Sequence, residues 1–231
     1  MSEESGIRWI PLESNPQVMS KFMHRIGMSD QWQFIDVIGL DDDLLMILPQ
    51  PVVALVLLFP YNDKTKAFTE TEEKKILEDG QTVSDKLYYM KQTISNACGT
   101  IGLLHAVFNN TQTVSLESTL KEFRDETKDM TPEERGKKLE SSETISQAHE
   151  VSAQEGQTEP PAPEENVCLH FIALVEKEGC VYELDGRKKF PINHGPVEES
   201  FLKSAANVCK KFMARDLSTL HFNVVALAKS D

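Results

Sequence analysis

The run VVALVLLF, Val52 to Phe59, limits the fold more than any other part of this chain. Both of its alternating faces are apolar. As a strand it must be covered on both sides, so it belongs at the centre of a sheet with helices packed above and below. Its eight residues are short for a buried helix, and its β-branched side chains favour a strand. The run is also too short to span a bilayer. Trp32 to Ile38, Cys168 to Val175, Cys180 to Leu184 and Leu220 to Ala228 read as further strands. The middle two flank a turn near Glu178-Gly179 and form a β-hairpin. A hairpin this late argues against a purely parallel, doubly wound sheet, and the intermixing of helices and strands predicts an α+β fold.

Helices are marked by their ends and faces. Asn15-Pro16 caps a first helix whose face is Val18, Met19, Phe22 and Ile26, and Gly27 stops it. Asp41-Asp42-Asp43 opens a short helix that Pro49 ends. Thr71 to Glu78 reads as a polar, exposed helix. Ala97, Ile101, Leu104 and Phe108 share one helix face. Gly99 and Gly102 weaken that helix, so it is expected to be buried and closely packed. Leu116, Leu120 and Phe123 mark another, and Thr131-Pro132-Glu133-Glu134 is a capping box. Phe201, Ala205, Val208 and Phe212 define a late amphipathic helix.

Val151 to Asn166, VSAQEGQTEPPAPEEN, has three prolines and four glutamates and is not expected to enter the core. It reads either as an interdomain linker or as a mobile loop over a site, since long loops in compact domains are often lids. With 40% hydrophobic residues among 231, a core of ordinary size needs no metal and no disulfide. One domain is the better expectation for this length. The net charge of −13 repels phosphate backbones, so nucleic acid is not an expected partner, and a basic partner suits it. Cys98, Cys168, Cys180 and Cys209 form no CxxC pair and lack histidines at zinc-finger spacing. No signal peptide, membrane span or prenylation site is read from the sequence. The expectation is a reducing cytosolic setting, with the nucleus as a further location.

Cys98 stands at the front of the helix just described, two residues after Asn96, read here as its N-cap. A helix N-terminus stabilises a thiolate through unpaired N–H groups and the helix dipole. His170 and Asp185 lie on the two strands of the hairpin. With the turn at Glu178-Gly179, facing residue numbers sum to 357, so Asp185 is a diagonal neighbour of His170 on the same face. A turn one residue earlier places the two directly opposite. Either register lets a carboxylate orient the imidazole, and a one-residue bulge spoils it. The order Cys, His, Asp is that of papain-like cysteine proteases, which this constellation resembles. In those enzymes an amide side chain six residues before the cysteine points into the oxyanion hole, and Gln92 stands at that offset.

The wider sequence resembles the short, single-domain ubiquitin C-terminal hydrolases over nearly its whole length. The resemblance is carried by W-x-P-L-E at Trp9 to Glu13, F-x-D-V-x-G-L at Phe34 to Leu40 and M-K-Q-T-I-S-N-A-C-G-T at Met90 to Thr100. It continues in E-G-Q-T at Glu155 to Thr158, H-F-I-A-L-V at His170 to Val175 and Y-E-L-D-G-R at Tyr182 to Arg187. It implies a papain-like α+β fold, with a central, mostly antiparallel sheet flanked by helices and a knotted backbone. It implies one domain over residues 1–231, with 151–166 as a crossover loop spanning the active-site cleft. It also implies Gln92 as oxyanion donor, Cys98 as nucleophile, His170 as general base and acid, and Asp185 as the residue that orients His170.

The expected reaction is removal of small or unstructured adducts from the C-terminal glycine of ubiquitin through a Cys98 thioester, without metal or organic cofactor. Ubiquitin is the expected partner, with a ubiquitin-like protein as a further one, and the enzyme is expected to act as a monomer. Leu12, Glu13, Asp36 and Leu169 match the family's ubiquitin-contacting positions. Glu13 and Asp36 suit the arginines of ubiquitin's tail. Two rival readings follow from the same residues: a module that holds ubiquitin without turnover, and a general papain-like peptidase for unfolded peptides.

Overall fold

A computed structural model describes residues 6–159, 161 and 167–230. Its six strands are β1 (Trp32–Asp36), β2 (Val52–Pro60), β3 (Leu169–Lys177), β4 (Cys180–Leu184), β5 (Ile192–Pro196) and β6 (Asn223–Lys229). They form one sheet in the order β1-β6-β2-β3-β4-β5, every neighbouring pair antiparallel. The helices are α1 (Pro16–Ile26), α2 (Asp42–Leu45), α3 (Asp63–Asp79), α4 (Cys98–Phe108), α5 (Ser118–Thr127), α6 (Pro132–Glu140), α7 (Glu143–Gln154) and α8 (Phe201–Met213). The α+β expectation holds.

The two apolar faces of β2 enter two different cores, as its sequence requires. Ala54 and Val56 pack with α1 and α4, among Met19, Phe22, Ile101 and Leu104. Leu55, Leu57 and Phe59 pack with α8, among Ala205, Val208 and Phe212. Every residue of α4 is buried. Gly99 explains how that helix can lie so close to its neighbours: a Cβ there would stand 3.0 Å from Leu12 Cβ and 3.4 Å from Phe171 Cδ2. The hairpin has the register of the Glu178-Gly179 turn, with Ala173 facing Leu184 and Lys177 facing Cys180. Glu178 and Gly179 both have positive φ, 51° and 76°, the geometry of a two-residue hairpin turn.

Several boundaries differ from expectation. The polar helix starts at Asp63, not Thr71, because Asn62 and Thr65 cap it reciprocally. Strand β6 begins at Asn223, and Leu220 before it is exposed. Strand β1 ends at Asp36, short of the expected Ile38, and Asp36 is exposed although it alternates in step with buried Trp32 and Phe34. Val151–Gln154, assigned above to the loop, is the last turn of α7, with Ser152 and Ala153 buried. The N-cap of α4 is Ala97, with no side-chain cap, while Asn96 takes a left-handed conformation at φ 65°. The pull on the Cys98 thiol therefore does not come from a capping amide.

Candidate active site

Three elements deliver the site. Cys98 is the first residue of α4, so its backbone N–H has no partner inside the helix. His170 is the second residue of β3, and Asp185 directly follows β4. Both are buried, and the His170 Nε2–H donates to Asp185 Oδ1 at 2.7 Å. The hairpin register thus brings together the diagonal pair that the turn predicts. The Arg187 backbone N–H also donates to Asp185 Oδ1, at 2.9 Å. The Tyr89 hydroxyl lies 2.7 Å from the Asp185 carbonyl and 2.5 Å from that of Lys188, donating between them.

Cys98, His170 and Asp185 are each shifted toward the charged form. Burial alone pushes the Cys98 thiol up. The hydrogen bond and charge of His170, the charge of Arg187 and a backbone hydrogen bond from Phe171 outweigh it, and the net shift is downward. Burial drives His170 down, yet the Asp185 charge and hydrogen bond, aided by Cys98, carry it up to about 9. Burial raises Asp185, and His170 and Lys188 more than reverse this, so its carboxylate stays ionised. His170 Nδ1, the nitrogen left for Cys98, makes no hydrogen bond of full geometry, although the two groups shift each other's ionisation. Catalytic hydrogen bonds are often long or poorly aligned before substrate binds, so this open geometry does not exclude a role for the pair.

Gln92 lies in the segment before α4, its backbone N–H bonded to Gly186 O at 2.9 Å, next to Asp185. Its side-chain amide donates to the Ile94 carbonyl at 3.1 Å. A carbonyl only accepts, so that contact fixes which end of the amide is nitrogen, and it leaves one N–H of the pair to give. The amide oxygen is buried without a partner.

The cleft in front of Cys98 has a volume of about 350 Å³. Leu12, Glu13 and Leu169 line it together with Cys98, and Thr158 and Pro161 of the predicted crossover loop line it too. Asp36 does not. It lies in a neighbouring groove with Phe34 and Pro49, joined to the cleft through Asn223, whose amide donates to Asp36 at 3.4 Å. Glu13 already has partners: it accepts from the Gln157 N–H at 2.7 Å and from the Thr158 hydroxyl at 3.4 Å. Sequence reasoning missed the aromatic housing of His170, formed by Phe59 and Tyr61 with ring centroids at 5.7 and 5.3 Å. It also missed Arg187, which stacks on Tyr61 at 4.8 Å and adds positive charge near Cys98. The alternation of β2 running into Tyr61 is the one local signal for the first of these. Among the described residues no group of His, Cys, Asp or Glu side chains converges as a metal site, and no helix is long and apolar enough to cross a membrane.

A buried Cys–His–Asp triad at the end of an antiparallel sheet, with the cysteine heading a helix, defines a cysteine peptidase of papain-like design. The chain belongs to the ubiquitin carboxyl-terminal hydrolase family 1, whose model matches residues 9–214. It is 49% identical over 222 residues to a ubiquitin carboxyl-terminal hydrolase of Drosophila melanogaster, covering 96% of this chain and 97% of that one. It is 45% identical over 225 residues to the Homo sapiens isozyme L1, covering 95% and 98%. Among solved structures, the UCH37 catalytic domain of Trichinella spiralis bound to ubiquitin vinyl methyl ester matches with a TM-score of 0.77. That match has 26% sequence identity and covers 100% of this chain and 99% of the other.

Proposed function

We propose that this protein is a deubiquitinating cysteine peptidase that hydrolyses small or unstructured adducts from the C-terminal glycine of ubiquitin through a Cys98 thioester. One observation carries the reading: a buried thiol that lines an open cleft is drawn below its ordinary value by a histidine hydrogen-bonded at 2.7 Å to a buried aspartate. A structural buried cysteine behaves oppositely, as Cys209 does, pushed up to about 12 by burial.

The thiolate of Cys98 attacks the glycine carbonyl. The Cys98 N–H at the front of α4 and the spare N–H of Gln92 stabilise the oxyanion. One such donor is typically worth roughly 100- to 1000-fold in rate. The His170 imidazolium gives its proton to the leaving group. It then takes one from water, which cleaves the thioester. Asp185 keeps the ring oriented throughout and favours its charged form before and after the proton transfers. Leu12, Glu13 and Leu169 receive the ubiquitin tail, with Asp36 as an outlying charge beside Asn223. The enzyme acts as a monomeric single domain over residues 1–231, in the cytosol and nucleus. Its crossover loop starts at Glu155, where α7 ends.

The test is release of a fluorescent group from the C-terminus of whole ubiquitin by wild type and by Cys98→Ala. Turnover by wild type and none by the variant, with ubiquitin binding kept, is the expected outcome. Turnover by the variant removes Cys98 from the mechanism. A competing reading, a module that holds ubiquitin without cleaving it, has the unclosed His170 Nδ1 contact in its favour. Ubiquitin binding by wild type without turnover would establish that reading instead.

A further inference from the structure

His149 takes no part in the chemistry above, yet it is buried between α7, the first turn of α4 and the segment that leads to Leu12. It sits on α7, the helix that leads into the crossover loop. Its Nε2 lies 2.7 Å from the Ile10 carbonyl, and its Nδ1 lies 2.7 Å from the Thr100 hydroxyl. The carbonyl can only accept, so Nε2 carries the proton. Burial draws His149 down to about 4, so the ring is neutral and Nδ1 is an acceptor. The Thr100 hydroxyl must therefore donate to it. The Trp9 ring is tilted against the imidazole at 4.4 Å, and the Phe22 ring meets it edge-on at 6.1 Å.

Each partner lies within two residues of one that lines the cleft. Thr100 is two residues after the nucleophile, in the first turn of α4. Ile10 is two residues before Leu12, on a segment that is itself fastened beside the nucleophile by the Trp9 N–H to Ser95 O at 3.0 Å. Three residues after His149, Ser152 accepts from Arg25 at 2.7 Å, and Arg25 also pairs with Glu155 at 2.7 Å where the loop departs. One neutral imidazole thus joins the catalytic helix, the N-terminal wall and the loop's root. None of its bonds goes to His170 or Asp185.

We infer that His149, through Thr100 and Ile10, is a positioning residue that sets where the substrate tail lies relative to Cys98, without acting on the thiol itself. This rests on the cleft being the ubiquitin-tail site.

Three variants separate the roles. His149→Leu breaks both bonds. Thr100→Val removes one donor at constant volume and decides the matter if His149→Leu does not fold. His149→Gln offers an amide that both donates and accepts. For each, kcat and KM on the ubiquitin–fluorophore substrate are measured per titrated thiol, beside the rate of Cys98 alkylation by iodoacetamide. Capture of ubiquitin carrying a C-terminal electrophile is measured in parallel. The expected result is a kcat loss of about tenfold or more for His149→Leu, a smaller loss for Thr100→Val, substantial recovery in His149→Gln and alkylation unchanged within about twofold. Unchanged kcat in folded His149→Leu and Thr100→Val overturns the inference. So does a fall in alkylation that parallels kcat, which places the effect on the thiol. If wild type neither turns over nor captures ubiquitin yet is alkylated normally, the functional reading fails and takes this inference with it. Failure confined to the variants leaves the functional reading intact.

Discussion

At the scale of single residues, the site is a contest between burial and charge. Burial opposes ionisation of both Cys98 and His170; Asp185, 2.7 Å from the imidazole, raises His170, and His170 in turn draws the Cys98 thiol down. This gives a pH dependence of kcat/KM with a definite sign. On the acid side activity falls as the Cys98 thiolate takes up a proton, at a pH below that of an ordinary thiol. On the alkaline side it falls as His170 loses its proton near pH 9, because a neutral imidazole has none for the leaving group. Asp185→Asn removes the largest influence raising His170, so the alkaline limb moves to lower pH and the plateau narrows. Initial rates on the ubiquitin–fluorophore substrate across pH 5 to 10 check this. An unmoved alkaline limb in the variant would assign that limb to another group. The four residues proposed as catalytic come from spacing and resemblance, and the structure joins His170 to Asp185 as the hairpin register requires. Tyr61, Arg187 and His149 were not legible, because their importance lies in contacts between segments distant in sequence. Tyr61 meets His170 from 109 residues away, and His149 meets Ile10 from 139.

At the scale of elements, legibility followed how strongly a segment's own residues decide its state. The β2 run has no surface it can offer to water, so its central place was forced. The hairpin register followed from a two-residue turn, and the register alone brought His170 to Asp185. By contrast β5 carries Asn193, His194, Gly195 and Pro196, residues poor in strand propensity. It exists because it pairs with β4 at the sheet edge and because His194 meets buried Glu183 at 2.8 Å. Helix α7 was missed for a similar reason. Its buried side is made of Ile145, Ala148, His149, Ser152 and Ala153, too small and polar to announce an apolar face. The turn gives a prediction at this scale. Gly179 has φ 76° with open space around its Cα, so Gly179→Ala suffers backbone strain and no clash. Stability should fall by about 1 kcal/mol, read from the urea midpoint at unchanged m, while kcat stays at the wild-type value. A loss of kcat at full folding would show that strain at the turn reaches the His170 end of the hairpin.

At the scale of the whole molecule, the cleft is lined by the segment before α1, the front of α4, β3 and residues that follow α7. Thr158 and Pro161 line the same cleft as Cys98, which supports the proposal that the segment after α7 limits what can leave the thiol. The root of the loop is fastened: Arg25 holds Glu155, and Glu13 accepts the Gln157 N–H, with Gly156 so close that a Cβ there would stand 2.2 Å from Glu13 Oε2. On the proposed function, the size of an acceptable leaving group is expected to depend on the length of chain beyond this clasp rather than on the triad. Inserting about ten Gly/Ser residues after Thr158 lengthens the free span at small entropic cost, since closure entropy grows only with the logarithm of loop length. Turnover of the ubiquitin–fluorophore substrate should change little, because the triad and the clasp are untouched. Cleavage of ubiquitin from a folded partner should rise from near zero to a measurable rate. The two substrates compared on wild type and insertion variant, at equal titres of reactive thiol, read the effect directly. If the folded adduct remains uncleaved while the small one turns over normally, the barrier lies in the walls of the cleft and not in its loop.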